Sequence, residues 1–525
     1  MLLSAKVIIA SLLAGSKAAF YYPDVQTHLL EHILVDNWGT YASNFSSAIT
    51  PCTNYVTQIG TAALNSGRTT AAQWMRVLFH DFVTANVSAG TGGVDASIGF
   101  ETARSENSGS AFNDSFTFWR PFVNNAVSMA DLVALGTAMS NNLCGGRNIP
   151  YRAGRIDATS AGSTTGVPAP ETDLEETLVF FERAGFDKVD SIGLTACGHT
   201  MGSVHHGGFP DVVEEIAVTP NNTNGGSNFD STRGAFDPAV LGEYLHGTGK
   251  RGGPLVTSNN VTTRSDLRLY ESDQNATMQA LFAQGDTFLD TCVGLFNRMM
   301  NTVPTGVQLG PVIEALAVKP INVTFDFDAH GKLKLSGKFR ILTGADDSPP
   351  LLLSFRVSNH TSELLPETAT GSSTFGRDGS RYGKLTYFPF SVSGPDLRRM
   401  TSFSVESSTV AVQSFAITGT AFVVPRWTTL VDDYLNITLA ISSPHTCEDV
   451  SLRIATAVPQ HGTLAPVLKR TELALSQAKD AVDKYTLCTT VATLDSDHIG
   501  LITLKVEMQG QILDTYLVNS GAAGW

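Results

Sequence analysis

Residues 76 to 81 read Arg-Val-Leu-Phe-His-Asp, which sets Arg76 four positions before His80. On a helix, side chains four apart share a face, so a guanidinium and an imidazole would stand together. That pair suits cleavage of a peroxide bond. The imidazole takes the proton from the near oxygen and returns it to the far one, while the guanidinium stabilises the charge gathering on the leaving oxygen. A second histidine, His199, follows the helix-like stretch DKVDSIGLTAC in Gly198-His199-Thr200. A histidine so placed can be the axial ligand of a haem iron. A carboxylate on its other ring nitrogen would fix the tautomer and raise the basicity, and Ser272-Asp273, within SDLRLYESDQNATM, supplies one. Taken singly, each has a plainer reading: a surface or capping pair, a core histidine, a helix cap.

The elements that must position these residues change character near residue 318. Before it, TTAAQWMRVLFHDF, SMADLVALGTAMSNNL, DLEETLVFFERAGF and MQALFAQGDTFLDTCVGLFNRMM place apolar residues at i, i+3 and i+4, with Gly, Pro and Asn at the joints. After Lys319 come short alternating runs such as INVTFDFD, KLKLSGKFRIL, KLTYFPFSV, LNITLAIS and ITLKVEM. Strands at this spacing predict a β-sandwich, or two small ones, with one helix over LKRTELALSQAKDAV. The expected organisation is a leader over 1–19, a mainly α domain over 20–318 in two helical halves, and a β-rich region over 319–525. No internal repeat or low-complexity tract interrupts it.

Composition bounds the rest. The 525 residues are 42% hydrophobic and 16% charged, with mean hydropathy near zero, a globular profile. The net charge of −14 comes with no Lys/Arg run, which argues against a nucleic-acid partner. Lys6, the apolar run Val7 to Gly15 and the small residues ending at Ala18-Ala19 read as a cleaved secretory signal, too short to span a bilayer. The C-terminal NSGAAGW has no apolar tail, so neither a span nor a lipid anchor is expected there. Nine Asn-x-Ser/Thr triplets, at Asn44, Asn86, Asn113, Asn221, Asn260, Asn275, Asn322, Asn359 and Asn436, agree with export. The six cysteines have no metal-ligand spacing and read as disulfides, with Cys447 preferred as the partner of Cys488 because both lie in the C-terminal region.

Read together, and in their order, these motifs resemble the plant and fungal haem peroxidase superfamily, in particular its secreted fungal branch (class II), over about residues 40 to 305. The resemblance implies haem b and two calcium ions. RVLFHD is similar to the distal motif, which makes Arg76 and His80 the distal pair and Phe79 a ring over the haem. GGVDASIGFETARSEN resembles the distal calcium loop, implying Asp81, Gly93 by its carbonyl, Asp95 and Ser97 as ligands. Asn107 would then accept a hydrogen bond from His80, with Glu101 steadying it. VSMADLVALG and AGRIDAT resemble family segments. TACGHTMG resembles the proximal motif, with His199 on the iron, Phe229 beside its ring and Asp273 as its carboxylate. NFDSTRGAFD resembles the proximal calcium site, implying Thr200, Asp230, Thr232, Ala235 by its carbonyl, and Asp237.

Departures from the family pattern narrow the expectation. Phe79 and Phe229 stand where intracellular relatives carry Trp. Arg68, Ala72 and Gly202 occupy the places read as those of the manganese-binding carboxylates, so a manganese site is not expected. Leu194 stands at the place of the surface Trp. The stretch between His199 and Asp230 is long, and the adjacent His205 and His206 read as surface or haem-rim residues rather than a metal site. Cys144 sits at a family position without an evident partner, and Cys197 is read as a buried thiol in preference to a bridge with Cys292. The expected function is a secreted enzyme that reduces hydrogen peroxide and oxidises small phenolic or aromatic donors by one-electron steps. The alternative is a haem-binding, cell-wall-associated protein with weak or no peroxidase activity. Under either reading wall glycan is an expected partner of the β region.

Overall fold

The computed structural model describes residues 21–162, 166–376 and 382–520. The leader sequence and the last five residues lie outside that range. Among the described residues no helix is long and apolar enough to cross a membrane.

The N-terminal half is helical because its apolar residues recur at helical spacing and its helix starts are capped. In helix Thr70–Phe82, Trp74, Val77, Leu78 and Asp81 form the buried side. Ala72, Gln73, Arg76, Phe79 and His80 form a second stripe that walls a cleft. Helix Met129–Leu143 is buried almost all round and begins where Ser128 accepts the Asp131 N–H. At Gly136 a Cβ would lie 2.8 Å from Trp119 and 3.3 Å from Trp74, so only glycine permits this packing. Helices Leu174–Arg183 and Lys188–Gly198 start at Asp173 and Asp187, each of whose carboxylates accepts a first-turn N–H. Asp157 accepts the N–H groups of Met129 and Ala130, and Arg155 forms a fully buried ion pair with Asp131, which explains what the AGRIDAT segment does. The long apolar segment ending at Met300 is broken at Gly285 into helices Ala276–Ala283 and Phe288–Met300.

Three disulfides form: Cys52–Cys144, Cys197–Cys292 and Cys447–Cys488. The pairing within the C-terminal region agrees with expectation. The reading of Cys197 as a free thiol does not. It is bridged to helix Phe288–Met300, which locks the end of the helix that precedes His199.

From Val318 the chain is β, in two sandwiches. The first packs the sheet of Val318–Phe327, Leu333–Gly344, Gly383–Ser393 and Thr370–Ser373 on that of His360–Leu364, Leu353–Val357, Ser402–Glu406 and Gln413–Ala416. Phe325, Phe339, Phe355, Phe390 and Phe403 fill the space between. The second packs a sheet around Tyr434–Ser442 and Tyr485–Thr493 on one around Ser451–Gln460 and Ile499–Met508, over a core of Leu and Ile. The helix expected over LKRTELALSQAKDAV is absent. That segment forms strands Thr463–Leu473 and Ser476–Val482, because pairing along Ser451–Gln460 and Tyr485–Thr493 outweighs the helix propensity of its Lys, Glu, Leu and Ala.

The two halves are interlocked. Trp38–Gly39, from the helical half, adds an edge strand to the first sandwich opposite Gly371 and Ser372. Beside it, fully buried Glu31 accepts from Lys319 Nζ at 2.6 Å and Arg340 Nη2 at 2.6 Å, and Arg340 Nη1 reaches Asp36 at 3.1 Å.

Candidate active site

The cleft lies between helix Thr70–Phe82 and the end of helix Lys188–Gly198. Apolar side chains, among them Met75, Phe79, Phe181, Leu194, Phe296 and Met299, line much of it.

On the first helix, His80 Nδ1–H donates to Asn107 Oδ1 at 2.7 Å, and Asn107 Nδ2 donates to the Glu101 backbone carbonyl at 2.9 Å. Glu101 therefore steadies Asn107 through its main chain. Its carboxylate instead binds Arg104 at 2.6 Å and the Gly162 N–H at 2.7 Å. Because Asn107 holds Nδ1, His80 Nε2 is the nitrogen left for chemistry. Burial, and then the charge of Arg76, push the His80 pKa well below its ordinary value, so the ring is a neutral base. Arg76 is held by the carbonyls of Glu106 and Ser108 and lies over the rings of Phe112 and Phe209. Burial and the neighbouring Arg68 lower its pKa to about 10, which leaves it charged. Phe79 packs on Phe181 at 5.7 Å.

On the second helix, His199 closes the C-terminal turn, and its ring stacks on Phe229 with centroids 4.0 Å apart and planes 6° from parallel. Its Nδ1–H donates to Asp266 Oδ2 at 2.6 Å. The carboxylate is thus Asp266, and the expectation for Asp273 is corrected. Asp273 Oδ2 accepts the N–H and hydroxyl of Thr277, in the first turn of helix Ala276–Ala283. The two aspartates share one signal, a Ser-Asp dipeptide in the segment 265–273, and only the fold brings one of them to His199. Asn275, nearby, accepts from the Tyr244 hydroxyl at 2.6 Å, so this glycosylation triplet is engaged inside the protein.

The long stretch after His199 folds back as strands Ser203–His205 and Gly226–Asn228. It places Val212 and Val213 in a small cluster with Phe229 and Leu255, and Phe209 on the cleft wall. His205 is buried there, and His206 Nδ1 donates to the Val213 carbonyl. Arg68, Ala72, Leu194 and Gly202 all line the cleft.

The residues fit a haem. An apolar slot bordered by two imidazoles, each with Nδ1 bound to an acceptor and Nε2 without a protein partner among the described residues, suits a flat ring carrying a metal. The implied calcium ligands also cluster. Asp230 Oδ1 accepts the Thr232 N–H and hydroxyl, Thr232 Oγ1 reaches Asp237 at 3.2 Å, and Thr200 Oγ1 donates to the Cys197 carbonyl. Ala235 donates its N–H to the Thr232 carbonyl. Asp230 Oδ2 is buried without a partner, and burial with nearby Asp237 and Glu243 raises this carboxyl to about 7, the setting a cation would relieve. On the distal side Asp81 accepts the N–H groups of Asp95, Ala96 and Ile98. Asp95 and Ser97 border a polar hollow with Thr84 and Gly92, whereas Asp81 and Gly93 are not among its lining. Among the described residues, no three His, Cys, Asp or Glu side chains cluster so as to hold a metal.

Comparison with known proteins agrees with this geometry. Residues 56–285 match the family model described as Peroxidase. Peroxidase 22.3 of Oryza sativa subsp. japonica is 30% identical over 258 residues, covering 43% of this chain and 79% of the rice protein. The chain belongs to the plant and fungal haem peroxidase superfamily. A second peroxidase, manganese peroxidase H4 of Phanerodontia chrysosporium, is 32% identical over 204 residues, 37% of this chain and 48% of that protein. A WSC domain-containing protein of Arthroderma benhamiae is 36% identical over 352 residues, a longer stretch than the peroxidase-family match. That alignment covers 66% of this chain, which spans about half the length of the relative (46%). The peroxidase match contains both imidazoles, Asn107 and Asp266.

Proposed function

We propose that the chain is a secreted haem peroxidase that reduces hydrogen peroxide and oxidises small phenolic or aromatic donors by one-electron steps. The observation that carries the reading is the pair of imidazoles on the two helices that wall one apolar cleft, each fixed at Nδ1 and, among the described residues, free of protein partners at Nε2. His199 would hold the haem iron, with Phe229 and Phe79 against the ligand ring and the haem face, and the residues around Asp81 and Asp95 and those around Asp230 and Asp237 would each take a calcium ion. Haem bound there supplies a redox-active iron, oxidised by peroxide and restored by electrons from the donor. His80 Nε2, neutral and held in one tautomer by Asn107, takes the first peroxide proton and delivers it to the departing oxygen. Arg76, charged in a site of low polarity, stabilises that oxygen as negative charge develops. Asp266 holds His199 in the tautomer that presents Nε2 and makes the imidazole a stronger donor.

The absorption spectrum of the secreted protein tests this. A Soret band that shifts with one equivalent of hydrogen peroxide, and returns when a phenol is added, is the expected result. A band indifferent to peroxide leaves only the alternative of a haem-binding protein without the activity. Contact between the β half and wall glycan is a separate part of the proposal. Co-sedimentation of the whole chain with insoluble glucan or chitin checks it, and no retention removes it.

A further inference from the structure

We propose that Asn436 carries an N-linked glycan whose first sugar lies on an apolar shelf made by Val431, Tyr434 and Val491, on the outer face of the second sandwich; this rests on the export part of the proposed function and not on the haem site. Strand Tyr434–Ser442 turns Leu435 and Ile437 into the core and Tyr434 and Asn436 outward. The register sets Val491, of strand Tyr485–Thr493, directly opposite Asn436 on one side and Thr429, of strand Thr429–Val431, opposite it on the other. Val431 stands opposite Tyr434 in the same way. Residues opposite one another in an antiparallel pair share a face, so three apolar side chains border the Asn436 carboxamide. Val431 is 58% exposed, Tyr434 54% and Val491 56%, so nothing else in the fold covers them.

The solvent face of an antiparallel sheet is ordinarily polar, and contiguous exposed apolar side chains mark a surface that something occupies. The residue at the centre of this one names the occupant. Asn436-Ile437-Thr438 is a glycosylation triplet, and among the described residues the Asn436 carboxamide has no hydrogen-bond partner. Other triplets differ: the carboxamide oxygens of Asn86 and Asn260 accept N–H groups of their own turns, and that of Asn275 accepts the Tyr244 hydroxyl. One face of a sugar ring carries C–H groups, which pack on an aromatic ring and on methyl groups while the hydroxyls stay in water. A tethered sugar finds such a shelf at high effective concentration. The glycan donor is an oligosaccharide linked through a diphosphate to a lipid. Asn436 Nδ2 bonds to the anomeric carbon as the bond from that carbon to the diphosphate oxygen breaks; the lipid diphosphate leaves and one amide proton is released. In the folded chain Thr438 is 8% exposed and its hydroxyl donates to the Trp427 carbonyl at 3.2 Å. The triplet is therefore open to the transferring enzyme only before Tyr434–Ser442 pairs, and the sheet closes on a chain already modified.

The test uses the whole chain made in a glycosylating eukaryotic host, once behind its own leader and once behind a leader of the host. Mass mapping of peptides reads the occupancy of Asn436. Hydroxyl-radical labelling then reads the exposure of Tyr434 and Val491 in three forms: trimmed by an endoglycosidase to the first sugar, stripped completely by an amidase, and Asn436→Gln, which never carries a glycan. The expected result is a glycan on Asn436 in most molecules. Labelling of Tyr434 and Val491 should be about twofold lower in the trimmed form than in the other two, since one sugar ring covers about half of a side chain so exposed. Labelling of Leu365, exposed on the first sandwich, should be the same in all three. An exported chain with Asn436 bare overturns the proposal. So does equal labelling of Tyr434 in the three forms, which would leave the sugar in solvent. Retention in the cell of the chain behind its own leader overturns the export reading instead, and the chain behind the host's leader still decides the site.

Discussion

His80 and His199 have different neighbours because they have different tasks, and single substitutions separate them. Replacing His80 with Leu removes the group that moves the peroxide proton, so the bimolecular rate with hydrogen peroxide should fall by about 10²- to 10⁴-fold while haem stays bound, as stopped-flow absorbance would show. The two aspartates of the 265–273 segment make a sharper comparison. Asp266→Asn should weaken haem retention or turnover about 10- to 100-fold and alter the Soret spectrum, through the lost negative charge beside His199 Nδ1. Asp273→Ala should leave the spectrum unchanged and cost about 0.5–2 kcal/mol of stability, the loss of a first-turn acceptor at Thr277. A reversed result would return the carboxylate role to Asp273. At this scale the sequence was informative wherever residue type and helical spacing coincide, as in Arg76 and His80. It was not informative where identical dipeptides compete, because Ser265-Asp266 and Ser272-Asp273 look alike until a tertiary contact selects one. In the sequence Arg68 stands out only for its place in a family pattern; its orphaned Nε is a property of burial, which no local pattern reports.

Helices were read from periodicity and strands less evenly. The segments of Thr70–Phe82, Met129–Leu143 and Lys188–Gly198 carry both a repeating apolar face and capping residues, so expectation and structure agree to within a residue or two at their ends. Strands Ser451–Gln460, Tyr485–Thr493 and Gln511–Asn519 carry no clear strand signal, and the helix-like stretch 468–482 falls on the end of strand Thr463–Leu473 and on Ser476–Val482, since strand identity depends on partners elsewhere in the chain. The Cys197–Cys292 bridge belongs to the same class of long-range fact. It closes a separation of 95 residues next to His199. Changing both cysteines to Ser should cost about 4–5 kcal/mol if the effect is that of loop closure, read as a lower Tm, and should loosen the haem-side helix enough to quicken haem loss. Gly39→Ala should part the short strand Trp38–Gly39 from its neighbour, because a Cβ there would meet the Thr370 carbonyl oxygen at 2.4 Å with φ at +113°. Hydrogen exchange at residues 370–373 would report the opening.

Over the whole molecule, the helical and β halves meet at a buried ion cluster that no stretch of sequence announces, since Glu31 lies far from Lys319 and Arg340 along the chain. Burial raises the Glu31 carboxyl, and the charges of Arg340 and Lys319 outweigh it, so the net shift is downward; Asp36 is lowered too, against its burial, by Arg340 and His32. Carboxyls lowered by folding add stability that is complete above their unfolded pKa of about 4 and is lost as the pH falls through their folded values. Thermal unfolding followed from pH 7 to pH 3 should therefore show Tm dropping below about pH 4, with a shallower drop in Glu31→Gln. At neutral pH that variant should lose about 3–5 kcal/mol, because two cations stay buried with one partner removed. The β region is tied to the helical half by this cluster and by the edge strand Trp38–Gly39. The cluster also sets an order of events during synthesis. Helix Val25–Val35 is made among the first described residues, but Arg340, which Glu31 requires, follows 309 residues later. At ordinary elongation rates that interval is roughly 15 to 60 seconds. Through most of it the nascent chain carries Glu31 with neither of its permanent cations yet made, so the first described helix is among the last to reach its final surroundings.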